Sequence, residues 1–501
     1  MVVAIGRVWT LPFAFLHCPQ GKNLLSARSP PSGLIDDLEI PYLHGITGSQ
    51  TERLTSNLNS KVTVQEGAEE ATVVVVGGGL TGLWTALFLC DLDPSARVVV
   101  LEQELVAYGA SGRNAGMLSE TVDHSHGLAV AHFGAREAAV LARLGESNVA
   151  ELIEFLHSQR LNCDFEPTGR IVMALTPAQV EEGRKNVESA VRLGVTSFRS
   201  LDREEAQAEL HSPLYLGGVA VSGGGILDPV KLVDALRQEA ERLGVRVYEK
   251  SPVRSFHRNG SGIVVKTANG TLRARRGVLA TSAYTHQLLP KLTRRFIPLY
   301  DYVLVSVPLT ASQWETLGWK RRQGITDGRT FFNYYRPTAD GRVLWGTSEA
   351  TYYRGNEVSA SCDHSARHYQ SLTDSWKRHF PALGGLEWEY AWGGPICSTT
   401  RMTPFFGSAV GGRVHYGLGY TGHGLGTTRL AGRILAHLAL DRPSELLDLS
   451  LVRKKPFPYP PEPMRSWAVK AVTRGLRKVD AGEPPGLLLR LLERMGIGFS
   501  S

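Results

Sequence analysis

The chain has 501 residues, 43% hydrophobic and 21% charged, with a formal charge of +7. That length exceeds one simple core and favours two domains, and the composition excludes a disordered or fibrous chain. Ten basic and four acidic residues between Leu451 and Ser501 supply six of the seven excess charges, so the body is near neutral and no nucleic-acid partner is expected.

Residues 1–65 read as an N-terminal leader or extension. The apolar run VWTLPFAFL lies within a basic stretch, but Arg7 interrupts the early apolar residues and Pro12 splits the run. A cleavable signal peptide is therefore not expected.

Ala71 to Cys90 is twenty residues without a charge, long enough to cross a membrane. Four consecutive valines followed by three glycines argue instead for a strand and a turn. TVVVV (72–76) reads as a buried parallel strand, and LTGLWTALFLCDL as a helix with Leu80, Leu83, Leu87 and Leu89 among its apolar positions. ARVVVLE is the next strand, ending at Glu102. The spacing Gly77-x-Gly79-x-x-Gly82 fits a dinucleotide fingerprint. Gly77 permits the turn, Gly79 the approach of a diphosphate, and Gly82 the close contact of helix and strand. The N–H groups at Leu80 and Thr81 open the helix toward that diphosphate. Glu102 stands where a carboxylate accepts hydrogen bonds from a ribose diol. The fingerprint alone leaves NAD and FAD open.

The loop QELVAYGASGRNAG follows. Gly109, Ala110, Ser111, Arg113, Asn114, Ala115 and Gly116 form a run of small and hydrogen-bonding residues suited to a flat polar ring system. REAAVLARLGESNVAELIEFLHSQ has helical periodicity. In GGGILDPVKLVDALRQEAERLGVRVYE, Asp228 is the expected helix cap and Pro229 the first helical residue. Val230, Val233, Leu236 and Leu243 are expected on the core face. RGVLATSAYTHQLLP reads as a strand running into a turn at Thr281.

LYDYVLVSVPL, RTFFNYYRPT and GRVLWGTSEA alternate as strands of an antiparallel sheet. Tyr334, Tyr335, Trp345, Tyr352 and Tyr353 are candidates for aromatic pocket walls or for core. Arg336 and Arg401 are candidates for a carboxylate clamp or for structural ion pairs. YGLGYTGHGLGTTRLAG holds six glycines and runs into a second helix. In the tail, MRSWAVKAVTRGLRKVD sets five basic residues beside Trp467, Val472, Leu476 and Val479. It reads as an amphipathic helix that packs on its own body or rests on a partner or membrane surface. Five widely spaced cysteines without a CxxC pair favour a reducing, cytoplasmic compartment and no metal site.

VVVVGGGLTGLWTALFL, VVVLEQELVAYGASGRNAG, GGGILDPVKLVDAL, RTFFNYYR, YAWGGP and YTGHGLG, in this order, resemble the D-amino-acid-oxidase superfamily of FAD-dependent oxidoreductases, and within it the gamma-glutamylputrescine oxidase-like proteins. The resemblance runs from about Ala71 to Leu440. It implies an α/β fold with an α+β substrate part. A Rossmann-type FAD domain (70–124, 217–292, 391–445) would be interleaved with an antiparallel-sheet substrate domain (125–216, 293–390), followed by a basic helical extension (446–501). It also implies FAD held without a covalent bond. The Gly109–Gly116 loop would lie along ring and diphosphate, and Val253 would hold the adenine through its backbone. The family often has glycine where this chain has Ser282, a departure at the cofactor turn and not in the strand before it.

Gly422, His423, Gly424, Leu425 and Gly426 would meet the pyrimidine end of the ring. A helix N-terminus there would quiet the charge of the reduced cofactor. Some members attach flavin through a cysteine near Cys397, but the register here is off. The implied reaction is oxidation of a C–N bond in a small amine or amino acid, with oxygen or a quinone as acceptor. His423, Arg401 and Tyr334 are the candidate catalytic residues. A non-catalytic flavoprotein and a quinone-linked dehydrogenase touching the membrane through its tail are the alternatives.

Overall fold

The structure is a computed structural model that describes residues 63–122, 125–494 and 497. The expectation of a leader therefore falls almost wholly outside the described residues. No described helix is long and apolar enough to cross a membrane.

Two eight-stranded sheets organise the chain. The first runs Phe405–Ala409, Val414–Leu418, Gly270–Leu279, Gly67–Val76, Val98–Leu101, Arg246–Tyr248. Its five last-named strands are parallel, and two antiparallel strands, Gly262–Lys266 and Ser255–Asn259, extend it beside Gly270–Leu279. The continuous valine run is explained by burial on both faces: Val73 and Val75 enter one core cluster, Val74 and Val76 another. Helices Leu80–Leu92, Pro229–Arg242 and Gly424–Ala439 cover the first of these faces.

The second sheet runs Trp388–Ser398, Ile297–Ser306, Val343–Thr351, Asn333–Pro337, Gly324–Asp327, Arg170–Ala174, Gly217–Val221, Phe198–Leu201. It is antiparallel except where Gly324–Asp327 meets Arg170–Ala174. The chain passes from the first sheet to the second and back twice. Two segments expected in the cofactor domain belong here instead: Gly217–Val221 pairs with Arg170–Ala174, and residues 391–398 continue the strand beside Ile297–Ser306.

Local expectations hold at the helix Pro229–Arg242. Asp228 Oδ1 accepts from the N–H of Val230 and Lys231 at 2.9 and 3.1 Å, and Pro229 takes the first turn. Val230, Val233 and Leu236 are buried, whereas Leu243 is exposed, because it caps the helix beyond the last turn that faces the core.

Candidate active site

One cavity of about 1000 Å³ lies between the two sheets, at the upper end of what ligand sites enclose (about 300–1000 Å³). The first glycine loop forms one side. Gly77 has φ +110°, and a Cβ there would lie 2.6 Å from the Ala280 carbonyl oxygen. Gly79 is the N-cap of Leu80–Leu92, and a Cβ on it would meet Ser111 Oγ at 2.6 Å. Gly82 stands behind the cavity, where a Cβ would reach 1.9 Å from the Gly77 carbonyl oxygen. Its role is close helix-to-strand contact. Gly78 N–H and Glu104 N–H donate to Glu102 at 2.7 and 2.9 Å. Burial pushes the Glu102 carboxyl up, against the two amides that hold it down.

The second loop meets the first. Thr81 Oγ1 and Tyr420 Oη are 2.8 Å apart, joining residues 339 positions distant in sequence. Gly422, His423, Gly424 and Leu425 all line the cavity, and a sixteen-residue helix starts at Gly424. Its first N–H groups have no partner within the helix and carry the positive end of its dipole. Gly422 has φ +92° and open space around it. Gly426 does not line the cavity; its carbonyl accepts from Asn148 Nδ2 at 2.9 Å. At the crossing of the two glycine-opened helices, a Cβ on Gly432 would meet the Trp84 backbone and Cβ under 3 Å away.

The intervening loop is tied to both sides. Ser111 Oγ accepts from Leu80 N–H at 2.9 Å, so the loop caps the first helix. Arg113 lines the cavity, but its guanidinium is committed to Asp363 (2.8 Å) and the Gly393 carbonyl (2.9 Å). Asn114 bonds back to Ser111 O and to Gly116 N–H. Gly109, Ala110 and Ala115 line the cavity; Gly116 does not, and a Cβ on it would meet the Leu227 carbonyl oxygen at 2.0 Å. Val253 and Thr281 line the far end. Ser282 keeps the left-handed backbone (φ +43°) that glycine favours, so the turn survives the substitution.

The second sheet forms the floor. Ile297, Leu299 and Asp301 line the cavity at alternate positions of one strand, and residues 394–398 of its neighbour line it without a break. Tyr334 faces it too, donating its hydroxyl to Asp301 Oδ2 at 2.7 Å. Tyr335 and Trp345 pack in the core behind the sheet. Tyr352 bonds Asn356 and Glu462, and Tyr353 bonds Tyr302; neither lines the cavity.

Two arginine expectations are corrected. Arg401 is buried away from the cavity, its guanidinium bonded to Thr403 Oγ1 and to the Pro404 and Lys454 carbonyls, over the Phe133 ring. Burial, only partly offset by the Glu137 carboxylate, pulls its pKa down to about 10. Arg336 bonds the Ala115 and Pro337 carbonyls. Both hold backbone and are not arranged as a carboxylate clamp. Asp301 was not a sequence candidate, although one acid in the otherwise apolar, alternating LYDYVLVSVPL is a readable signal.

The tail supplies a further wall. Arg465, Ala468, Val469, Val472 and Leu476, one face of the helix Met464–Asp480, line the cavity. The helix is fixed at both ends: Arg465 Nη1 donates to Asn356 Oδ1 at 2.6 Å, and Asp480 accepts from the N–H of Thr330 and Phe331 at 2.8 Å each.

The family model described as DAO, FAD dependent oxidoreductase, matches residues 72–438. The gamma-glutamylputrescine oxidoreductase of Escherichia coli (strain K12) is 30% identical over 367 residues, 73% of this chain and 83% of that protein. The Haemophilus influenzae protein named "Probable oxidoreductase OrdL" is 28% identical over 378 residues, 74% of this chain and 83% of that one. The solved glycine oxidase of Geobacillus kaustophilus superposes with a TM-score of 0.64 at 20% identity, covering 77% of this chain and 99% of that one. It shares the fold.

Proposed function

Because the chain belongs to the DAO family of FAD-dependent oxidoreductases, we propose that it oxidises a carbon–nitrogen bond of a small amine or amino acid, with gamma-glutamylated amines as first candidates. One observation carries this reading. The Thr81–Tyr420 hydroxyl pair draws two glycine-opened helices to the same cavity, over an antiparallel floor.

The residues present fit an FAD. A Cβ on Gly77 would strike the Ala280 carbonyl and one on Gly79 the Ser111 hydroxyl, so glycine keeps this backbone close-packed and open toward a ligand. Gly77, Gly79, Leu80, Thr81 and Ser111 would hold the diphosphate, Glu102 the ribose, and Pro252 and Val253 the adenine. Residues 422–425 would hold the pyrimidine end of the ring. FAD, when bound, supplies the acceptor for the hydride on the carbon next to nitrogen. The protein orients the amine and keeps water from it, and the helix opening at Gly424 favours negative charge before it. Water then hydrolyses the imine.

The test is anaerobic mixing of the yellow protein with gamma-glutamylputrescine, polyamines, N-methyl amino acids and D-amino acids. At least one should bleach the flavin, and a protein that none of them bleaches would contradict the reading. Admission of air then separates an oxidase, which re-yellows, from a dehydrogenase that needs a quinone.

FAD is expected to come free on acid precipitation, leaving colourless pellet and yellow supernatant; a yellow pellet would mean a covalent bond. Cys397 lines the cavity, but burial pushes its thiol far up, which disfavours the thiolate that attachment requires. We assign the reaction to the cytoplasm on cysteine usage. A peripheral membrane contact would use Met464 and Trp467, exposed on the helix whose opposite face lines the cavity, together with Leu487, Leu488 and Leu491 of the helix that follows.

A further inference from the structure

We propose that Asp301 is the anionic anchor of the substrate amine, binding its ammonium group on the cavity floor and accepting one of its protons. This rests on the amine-oxidation reading above and deepens it.

Three observations point to Asp301. First, among the described residues it is the one acid on the floor. The other carboxylate lining the cavity, Glu102, already holds two backbone amides. Second, the sheet is built to present it. The register between Ile297–Ser306 and Val343–Thr351 shifts between Tyr300 and Tyr302, so Asp301 sits at the irregularity. Such irregularities re-aim side chains beside functional sites. On the other side it pairs with Gly394, against which the Arg113 side chain packs. Third, its charge is unanswered. Among the described residues no cation pairs with Asp301; Tyr334 donates one hydrogen bond to Oδ2 at 2.7 Å. Arg113, which packs against Gly394, is held by Asp363.

A carboxylate out of bulk water with no cation is costly. Burial accordingly pushes the Asp301 carboxyl up to about 7, against the Tyr334 hydrogen bond. A substrate ammonium would supply the missing charge. In the transfer, one ammonium N–H bond breaks and an O–H bond forms on Asp301. The nitrogen keeps its electron pair as a neutral amine, the form from which hydride departure is easiest. The proton returns to water once the product leaves. Tyr334 steers the carboxylate and is a positioning residue.

The experiment uses FAD-loaded wild type, Asp301→Asn, Asp301→Glu and Tyr334→Phe, titrated without oxygen with butylamine and with its uncharged counterpart 1-pentanol. The readout is the shift of the flavin absorption band. Butylamine should bind wild type, bind Asp301→Asn at least about tenfold more weakly, and bind Asp301→Glu with an intermediate affinity. Pentanol should bind wild type and Asp301→Asn alike, which checks that the variant is folded. Wild-type affinity for butylamine should rise as pH passes about 7, where the carboxyl ionises, and Asp301→Asn should show no such rise. The titratable groups facing this carboxyl are Tyr334, which reaches it from two strands away past Gly346, and the Arg113–Asp363 pair beyond Gly394. A wild type that ignores butylamine at every pH, or an Asp301→Asn protein that matches wild type, would overturn the anchor. If no amine bleaches the flavin while butylamine binding still depends on Asp301, the oxidation reading falls and the anchor stands. If amines bleach wild type and Asp301→Asn at equal rates, the reverse holds.

Discussion

Replacing Gly82 with alanine is expected to give a colourless protein. A Cβ at that position would lie 1.9 Å from the Gly77 carbonyl oxygen and 3.1 Å from its carbon. Both are backbone atoms, so no side-chain rotation relieves the clash. The helix Leu80–Leu92 must move off the strand by roughly 1 Å to reach ordinary contact distance. That movement takes Leu80 N–H off Ser111 and Thr81 off Tyr420, undoing the cradle and its link to the second loop. Overpacking of this kind costs about 1–3 kcal/mol in stability, and FAD affinity falls with it. Gly244→Ala, outside the cavity, is the control. It meets no atom within 4 Å but must hold φ +87°, a strain of about 1–3 kcal/mol that should leave the protein yellow. Visible absorbance after gel filtration and thermal unfolding with and without added FAD check both. A yellow Gly82→Ala protein that unfolds with wild type would sink this account of the first loop.

A chain ending at residue 462 is expected to keep FAD yet lose most of its turnover. The cofactor cradle lies within 77–116, 252–254 and 422–425, whereas Ala468, Val469, Val472 and Leu476 form a separate wall. Without that wall, water enters where the amine must be desolvated, and the Thr330 and Phe331 amides lose Asp480 as acceptor. Bleaching by the best amine should slow by about tenfold or more, the order of effect that loss of substrate positioning brings. Iodide should quench the flavin fluorescence more strongly. Equal bleaching rates and equal quenching in the full and shortened chains would show that the tail plays no part in the site.

The sequence made the glycine loops and parallel strands readable because their chemistry is local: each glycine answers to its neighbours in the turn, and buried valines run without interruption. Asp228 was readable for the same reason. What escaped depends on contacts between distant segments. Tyr334 and Tyr335 were both candidates for the pocket, but adjacent strand residues point to opposite faces, so one lines the cavity and the other the core. Nothing near Arg401 in sequence reveals that it reaches the carbonyls of Leu451 and Lys454. The tail's apolar stripe was visible as amphipathicity, but its counterpart is a cavity wall assembled from both sheets. Asp301 stood in plain view as one acid in an apolar strand, and only the fold turns it toward a ligand.

The most direct test of the two-cradle account is the electron density of protein crystallised with its own flavin. The account predicts diphosphate oxygens within hydrogen-bonding distance of the amides opening the helix at Leu80, and the pyrimidine edge of the ring before the amides of residues 423–425. A flavin whose ring points away from Gly422–Leu425, or a diphosphate bound elsewhere than the first glycine loop, would contradict it.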